Sequence, residues 1–413
     1  MASYAIECIG WVVGARLRAS RASASGTLGA MQKIGLSYSL GTDGGGPLIR
    51  NPLLDLLQAV RSSGSISSAA SALGLSYRHV WGELRRWEQE LGQPLLHWEK
   101  GRRARLSEFG DKLLWSERQA QARLAPQIEA LRAELERTFA VAFDDAAHVL
   151  TLYASHDDAL VALRQHAASL PGTPRLHLDI RFTGSVDAIA ALNEGRCIMA
   201  GFHTLRTPAA DSLAARTYKP LLQPGLHKLI GFATRTQGLM VRPVNPHRIQ
   251  GLADLNKAGV RFVNRALGTG TRVLLDELLA AEDLAAADVR GYHDVEPSHA
   301  AVAQAVAAGG ADAGLGIEAA ARARGLDFVP LIAEDYHLVC LKEALDEAPV
   351  AALRALLASP GWAHELNALP GYQASHAGEV RSMASVLPWW QFARKKRASA
   401  PRKKPYKLGM IYS

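Results

Sequence analysis

Cysteine is scarce in this chain of 413 residues: Cys8, Cys197 and Cys340 are the only three, widely separated and with no C-x-x-C pair. A disulfide scaffold and a cysteine zinc site are thereby excluded, and a reducing, cytoplasmic setting is expected. Long apolar runs are also missing. The most apolar N-terminal stretch, residues 6–15, contains Glu7 and has no basic flank before it, so it suits neither a signal peptide nor a membrane span of ~20 residues. Acid is absent from the end of the chain. No Asp or Glu follows Glu379, while eight Lys or Arg lie between Arg394 and Lys407. The net charge of +8 therefore sits in the tail, and what precedes it has 39 basic and 39 acidic side chains. A uniformly basic binding surface over the body is excluded.

Catalytic and metal motifs are lacking as well. None of the fourteen histidines forms H-x-x-x-H or H-E-x-x-H, and no G-x-S-x-G elbow occurs. G-T-G-T-R at residues 268–272 has no Lys-Ser or Lys-Thr at the Walker spacing and no third glycine for a dinucleotide fingerprint. His293, Asp294 and His299 read as surface or cap residues. Neither an enzyme nor a bound metal or cofactor is expected.

What is present is a folded, multidomain composition, 48% hydrophobic and 21% charged. Residues 1–50 read as a disordered extension, with Met31 as a second candidate start. Residues 391–413 read as a basic disordered tail that adds salt-sensitive, sequence-independent DNA affinity. Between them the chain divides at 51–115, 116–146 and 147–390.

In the first of these, Asn51-Pro52 is a helix start, followed by Leu53, Leu56, Leu57 and Val60 on one face. Residues 65–76 read as a short small-residue helix, a glycine turn and a serine cap. The next helix places Val80, Leu84, Trp87 and Leu91 on one stripe and turns Tyr77, Arg78, Trp81, Arg85 and Gln89 outward. Two helices on a tight turn, the second with cations and hydrogen-bonding groups outward, suit a DNA major groove. Strands at 95–98 and 104–106, joined by Glu99-Lys100-Gly101-Arg102-Arg103, predict a hairpin with a basic tip. The module nets only +2, from nine basic and seven acidic residues, so placement must supply the binding.

The run G-S-I-S-S-A-A-S-A-L-G-L-S-Y-R-H-V-W resembles the winged helix-turn-helix of ModE molybdate-responsive regulators. R-R-W-E-Q-E-L-G-Q-P-L-L and A-R-L-S-E-F-G-D-K-L-L are similar to LysR-type regulators. The resemblance, over about 60 residues, implies that Ser76, Tyr77, Arg78, His79 and Arg85 read DNA and that Arg102 and Arg103, with Lys100 beside them, form the wing.

In the connector, Leu124, Ile128, Leu131 and Leu135 recur at four, three and four, a short coiled-coil-like seam that predicts a homodimer or higher homo-oligomer reading a palindromic site. Pro126 predicts a kink or a restart.

Residues 147–390 alternate apolar runs with helical periods, which predicts two α/β lobes around a cleft. Lobe I comprises about 147–240 and 337–390, lobe II about 241–336. Strands are expected at 149–153, 176–182, 197–202, 260–264, 289–292 and 311–317. The domain nets −3 (21 basic, 24 acidic), so an anion would have to be attracted locally. Ser155, Gly184-Ser185, Gly268-Thr269-Gly270-Thr271 before Arg272, and Ser298 each read as a helix start behind a strand, offering amides, a dipole end and a hydroxyl to an anion.

This pattern resembles the type II periplasmic-binding-protein fold in its cytosolic form related to molybdate and tungstate binders, most specifically in N-R-A-L-G-T-G-T-R. The resemblance implies Ser155, Ser185, Thr269, Gly270 and Thr271 as oxyanion ligands, with Arg272, Arg265, Glu318 and Tyr336 around them. It also implies a one-component transcription regulator that binds double-stranded DNA and senses molybdate or tungstate, with no membrane partner. A carboxylate such as Glu318 fits an anion site only if it pairs with an arginine such as Arg272 or faces away. Two alternatives remain: an organic effector, as in LysR-type proteins, and a molybdenum-cofactor handling module fused to a DNA-binding head.

Overall fold

The computed structural model describes residues 51–97, 103–143, 146–170 and 175–390. The expected extension and tail, and Lys100 and Arg102 of the wing, lie outside the described residues. In the head, α1 (Pro52–Ser63) is capped by the Asn51 side chain and ends at Gly64 in the left-handed region. Ser65 caps α2 (Ile66–Ala72), and Ser76 caps α3 (Tyr77–Leu91). Leu57, Val60, Ala69, Val80 and Leu84 are buried together with Leu95 of the wing. The wing is a minimal antiparallel pair, β1 (Leu96–His97) and β2 (Arg105–Leu106). Glu88 of α3 accepts from the Leu95 and Leu96 amides at 2.9 and 3.3 Å, fixing the wing to that helix.

From Ser107 the chain enters α4 (Glu108–Phe143), one helix of 36 residues that runs from the head through the whole connector. The helix does not restart at Pro126. A proline inside a helix leaves the carbonyl four residues back without an amide donor. Here that carbonyl, on Ala122, accepts from the Ser298 hydroxyl of the sensor at 3.2 Å. The buried stripe of α4 is Ala122, Pro126, Glu129 and Ala133, packed on the sensor. The predicted seam, two positions further round, stays partly open: Leu124, Ile128 and Leu135 are half-buried and Leu131 is 50% exposed.

The sensor follows as β3 (His148–Ala154), α5 (Asp158–Ser169), β4 (Leu176–Phe182), α6 (Ser185–Asn193), β5 (Met199–Leu205), α7 (Leu213–Tyr218), β6 (His227–Val241), β7 (Phe262–Arg265), α8 (Gly270–Ala281), β8 (Val295–Glu296), α9 (His299–Ala307), β9 (Ala313–Ile317), α10 (Glu318–Arg322), β10 (Asp327–Leu341), α11 (Ala348–Leu357), α12 (Pro360–Asn367), β11 (Tyr372–Gln373), β12 (Val380–Arg381) and α13 (Met383–Val386). The strand order is β4-β3-β5-β10-β6-β9-β7-β8, with β11 and β12 added on β6. Parallel β3, β4 and β5 form one lobe and parallel β7, β8 and β9 the other. Between them run two antiparallel strands of 15 residues, β6 and β10. Strand β10 pairs β5 through Glu334–Cys340, and β6 pairs β9 through Gln237–Val241, so both cross from lobe to lobe near Arg235 and Glu334.

The expected strand at 289–292 is a turn instead. Gly291 has φ +88°, and a Cβ there would lie 2.1 Å from the Phe262 carbonyl oxygen, so the chain bends against β7, bonding to it from the Arg290 and Asp294 carbonyls, and a strand forms only at Val295–Glu296.

Candidate functional site

The crossing strands place buried charge at the lobe junction. Arg235, 2% exposed, bonds to the carboxylates of both Asp157 and Glu334. Tyr372 donates to Asp157 at 2.8 Å, and Gln237 donates to Glu334 at 2.8 Å. Burial works against the Arg235 charge, yet the two carboxylates hold its pKa above the ordinary value. Buried charges persist only when paired in this way.

Beside this triad lies a second buried guanidinium with no such pairing. Arg265, at the end of β7, is 1% exposed, and among the described residues its Nε and Nη1 have no hydrogen-bond partner. Burial, then the neighbouring Arg235, lowers its pKa to about 9, so it remains charged at neutral pH. Hydroxyls gather by two buried histidines, His203 and His299. Ser155 and Ser185 lie 3.2 Å apart, and Thr271 accepts from Gln237 at 3.1 Å. His203 and His299 are fully buried, and burial followed by nearby arginines pushes both well below the ordinary histidine value. His156 is pushed down to about 4 by burial and then by Arg265. Both His203 nitrogens, His299 Nδ1 and the Tyr336 hydroxyl also lack partners among the described residues. Neutral hydroxyls and imidazoles around one unpaired cation form a donor-rich shell, which is what a small anion requires.

The lobes meet tightly over this cluster. A Cβ on Gly184 would stand 2.8 Å from the Gly268 carbonyl oxygen, and one on Gly270 would stand 3.3 Å from His203 Nδ1 and 3.5 Å from Ser185 Oγ. Gly184 and Gly268 thus bring the backbones of the two lobes together with no room for a side chain at Gly184.

The residues expected from sequence separate into two groups. Ser155, Ser185, Gly270 and Thr271 come together. Ser155, however, opens no helix: α5 begins at Asp158 under an Asp157 cap, because Asp157 is the residue whose side chain reaches the Ala159 amide. Thr269 spends its hydroxyl as the cap of α8 and as a donor to Ala266 O. Arg272 turns away to Asp276 at 3.1 Å and lies over the Tyr292 ring at 4.1 Å. Ser298 caps α9 and faces α4. Glu318 pairs with Arg322 at 3.1 Å rather than with Arg272. His299, read as a surface or cap residue, is buried in the cluster, with Nε2 3.5 Å from Thr271 Oγ1. Sequence reasoning passed over Asp157, Arg235, His203 and Glu334. Their signal was charge or histidine inside otherwise apolar strands or directly behind one.

On the head, Ser76 accepts from the His79 amide at 3.2 Å, and Tyr77, Arg78 and His79 are exposed. The half-buried Trp81 stacks with Tyr77 and carries the Arg85 guanidinium 4.6 Å above its ring, while Arg85 also pairs with Glu88 at 3.0 Å. The Arg103 stem packs on Gly64.

Residues 52–111 match the family model described as bacterial regulatory helix-turn-helix protein, lysR family, and residues 167–358 match the PBP superfamily domain. The chain is therefore of the class that joins a lysR-type regulatory helix-turn-helix to a PBP-like domain. More particularly, it belongs to one family with an uncharacterized protein in the 5′ region of the ferredoxin 2Fe-2S gene of Clostridium pasteurianum. The two are 35% identical over 109 residues, which is 26% of this chain and 96% of that protein. It is also 36% identical to the uncharacterized protein YvgK of Bacillus subtilis (strain 168) over 200 residues, 48% of this chain, and so spans 64% of YvgK's length. Among solved structures it is distantly similar to a Corynebacterium glutamicum OxyR mutant (17% identity, 73% of this chain and 88% of that one, TM-score 0.37). It is likewise similar to ArgP from Mycobacterium tuberculosis (19%, 75% and 96%, TM-score 0.36).

Proposed function

We propose that this protein is a ligand-responsive transcription regulator whose two lobes close on a small oxyanion, with molybdate or tungstate as the effectors that fit the reading best. The observation that carries it is the fully buried Arg265 guanidinium, whose Nε and Nη1 lack partners among the described residues and whose charge reaches the buried His203 and His299. A charge left unpaired in a protein interior costs several kcal/mol, which binding an anion would offset. The Gly184–Gly268 contact favours a compact anion over an organic effector. A ligand that binds the closed lobes better than the open ones shifts the balance toward closure. Titration calorimetry with molybdate, tungstate, sulfate and phosphate tests the reading. Saturable heat with at least one is expected, and no heat with any of the four removes it.

The head supplies the output. Arg78 on the exposed start of α3, with Ser76, Tyr77, His79 and Arg85, is proposed to enter the major groove, and the open Leu124–Leu135 seam to meet a second copy. Arg78→Ala is expected to weaken binding to the protein's own upstream DNA by about 1–3 kcal/mol, roughly 5- to 150-fold, and to relax sequence preference. Arg85→Ala should do less, since Arg85 is already partnered by Glu88. Mobility-shift titrations in which both variants match the parent would remove α3 from the DNA.

A further inference from the structure

Helix α4 touches both lobes, and it does so on opposite sides of its proline. Its first half grips lobe II. Glu296 on β8, 5% exposed, accepts Arg123 Nε and Nη2 at 2.9 and 2.7 Å and Gln119 Nε2 at 2.8 Å. The Ser298 hydroxyl, two residues further along the chain, donates to Ala122 O. The second half grips lobe I. Glu129 pairs through its carboxylate and its carbonyl oxygen with Arg164 of α5, and Arg137 meets Asp179 of β4 at 3.3 Å. Pro126 stands between the two grips. Having no amide hydrogen, it removes the i→i−4 bond that would stiffen the helix there, and the acceptor it frees on Ala122 is the one lobe II takes.

Lobe II connects this grip to the candidate cleft over a very short path. Arg265 and Glu296 are register partners on the parallel pair β7–β8, one in the buried cluster and the other bonded to α4. His299, directly after Ser298, reaches Thr271. A groove of about 420 Å³ lined by Trp115, Gln119, Arg123, Asp294 and Glu296 runs along the same contact, so α4 has room to move on this side.

We infer that α4 is a lever laid across both lobes and hinged at Pro126, so that movement of lobe II against lobe I swings residues 108–125, and the head with them, relative to residues 127–143. The inference rests on the two-lobed reading of the sensor and names the residues through which its state reaches the DNA-reading end. It does not depend on which ligand closes the cleft, and its test uses none.

The test is amide hydrogen exchange on the full chain. Gly184→Ala holds the lobes apart by steric contact with Gly268 O. At Gly184's φ of −65° an alanine is otherwise unstrained. In that variant exchange over residues 119–130 is expected to rise at least about tenfold, the signature of local opening at the hinge, while β5 and β10 keep their protection. Adding Pro126→Ala, which restores an amide donor to Ala122 O, should confine the helix again and cancel most of that rise. Glu296→Gln alone should loosen residues 116–125 and leave 129–137 as in the parent, which reads the lobe II grip even if the glycine variant folds poorly. Equal response of both halves to Glu296→Gln, or a rise in Gly184→Ala that Pro126→Ala leaves untouched, overturns the lever. The anion reading stands or falls separately on calorimetry of the parent.

Discussion

Arg265→Met is expected to stabilise the protein and to abolish anion capture in the same molecule. Few substitutions at a binding site separate these effects so sharply. The parent carries a full charge with no hydrogen-bond partner at Nε or Nη1 and 1% exposure, whereas methionine has a similar length and no charge to desolvate. Replacing buried charge by an apolar side chain of similar volume yields about 1–4 kcal/mol in comparable cases, so the thermal midpoint of the sensor should rise by several degrees. Anion affinity should fall by roughly 100-fold or more, since each charge-assisted hydrogen bond lost is worth about 1.5–3 kcal/mol. The pH dependence checks the cause. A base whose folded pKa of about 9 lies below its ordinary 12.5 binds fewer protons folded than unfolded between those values. The parent must therefore gain stability relative to the methionine variant as pH climbs through that window. Scanning calorimetry of the two proteins at pH 7 and pH 10 measures the difference. A lower midpoint for Arg265→Met at both pH values, with anion heat unchanged, would show that the guanidinium is structural.

Arg235→Met is expected to do the reverse. Arg235 holds two buried carboxylates, Asp157 on lobe I and Glu334 on the crossing strand β10, and its removal takes from both the guanidinium they bond. Breaking a buried pair in this way costs about 3–5 kcal/mol, enough to remove much of a typical domain's stability. Replacing Asp157 and Glu334 by leucine together with Arg235→Met should restore much of that loss, because neither carboxylate is then left buried without its guanidinium. Denaturant unfolding followed by the sensor's tryptophans distinguishes the two variants. A loss under about 1 kcal/mol in the single variant would mean that water reaches the triad.

Arg235 marks where sequence stopped being legible. The head could be read closely because its local signals agreed: Asn51 and Ser76 as caps, a glycine turn between two helices, and an apolar stripe through Val80 and Leu84 that the structure buries. The parallel strands other than β8, and the starts of α6, α8 and α9, were visible for the same reason. Strands β6 and β10 were not. H-K-L-I-G-F-A-T-R-T-Q-G-L-M-V and D-F-V-P-L-I-A-E-D-Y-H-L-V-C-L carry Arg235, Gln237, Glu334 and Tyr336 at buried positions. Charge in the middle breaks the alternation by which strands are found. These residues are polar because the lobes meet there, so the pattern failed at the candidate site itself. Ser298 shows a subtler limit. Its position as a cap was legible, but its partner, a carbonyl freed by a proline 172 residues earlier, follows only from the tertiary structure.

The crossing strands also set an order of assembly. Every contact in the head's core joins residues within the 52–114 stretch, whereas β5 must wait for β10, and β6 for β9, β10 and finally β12 at residues 380–381. Pairings of such sequence separation form late. During synthesis, which proceeds from the N-terminus, the DNA-reading head is complete while the sensor still lacks the strands that join its lobes. For that interval a nascent chain presents a finished reader with nothing yet to govern it.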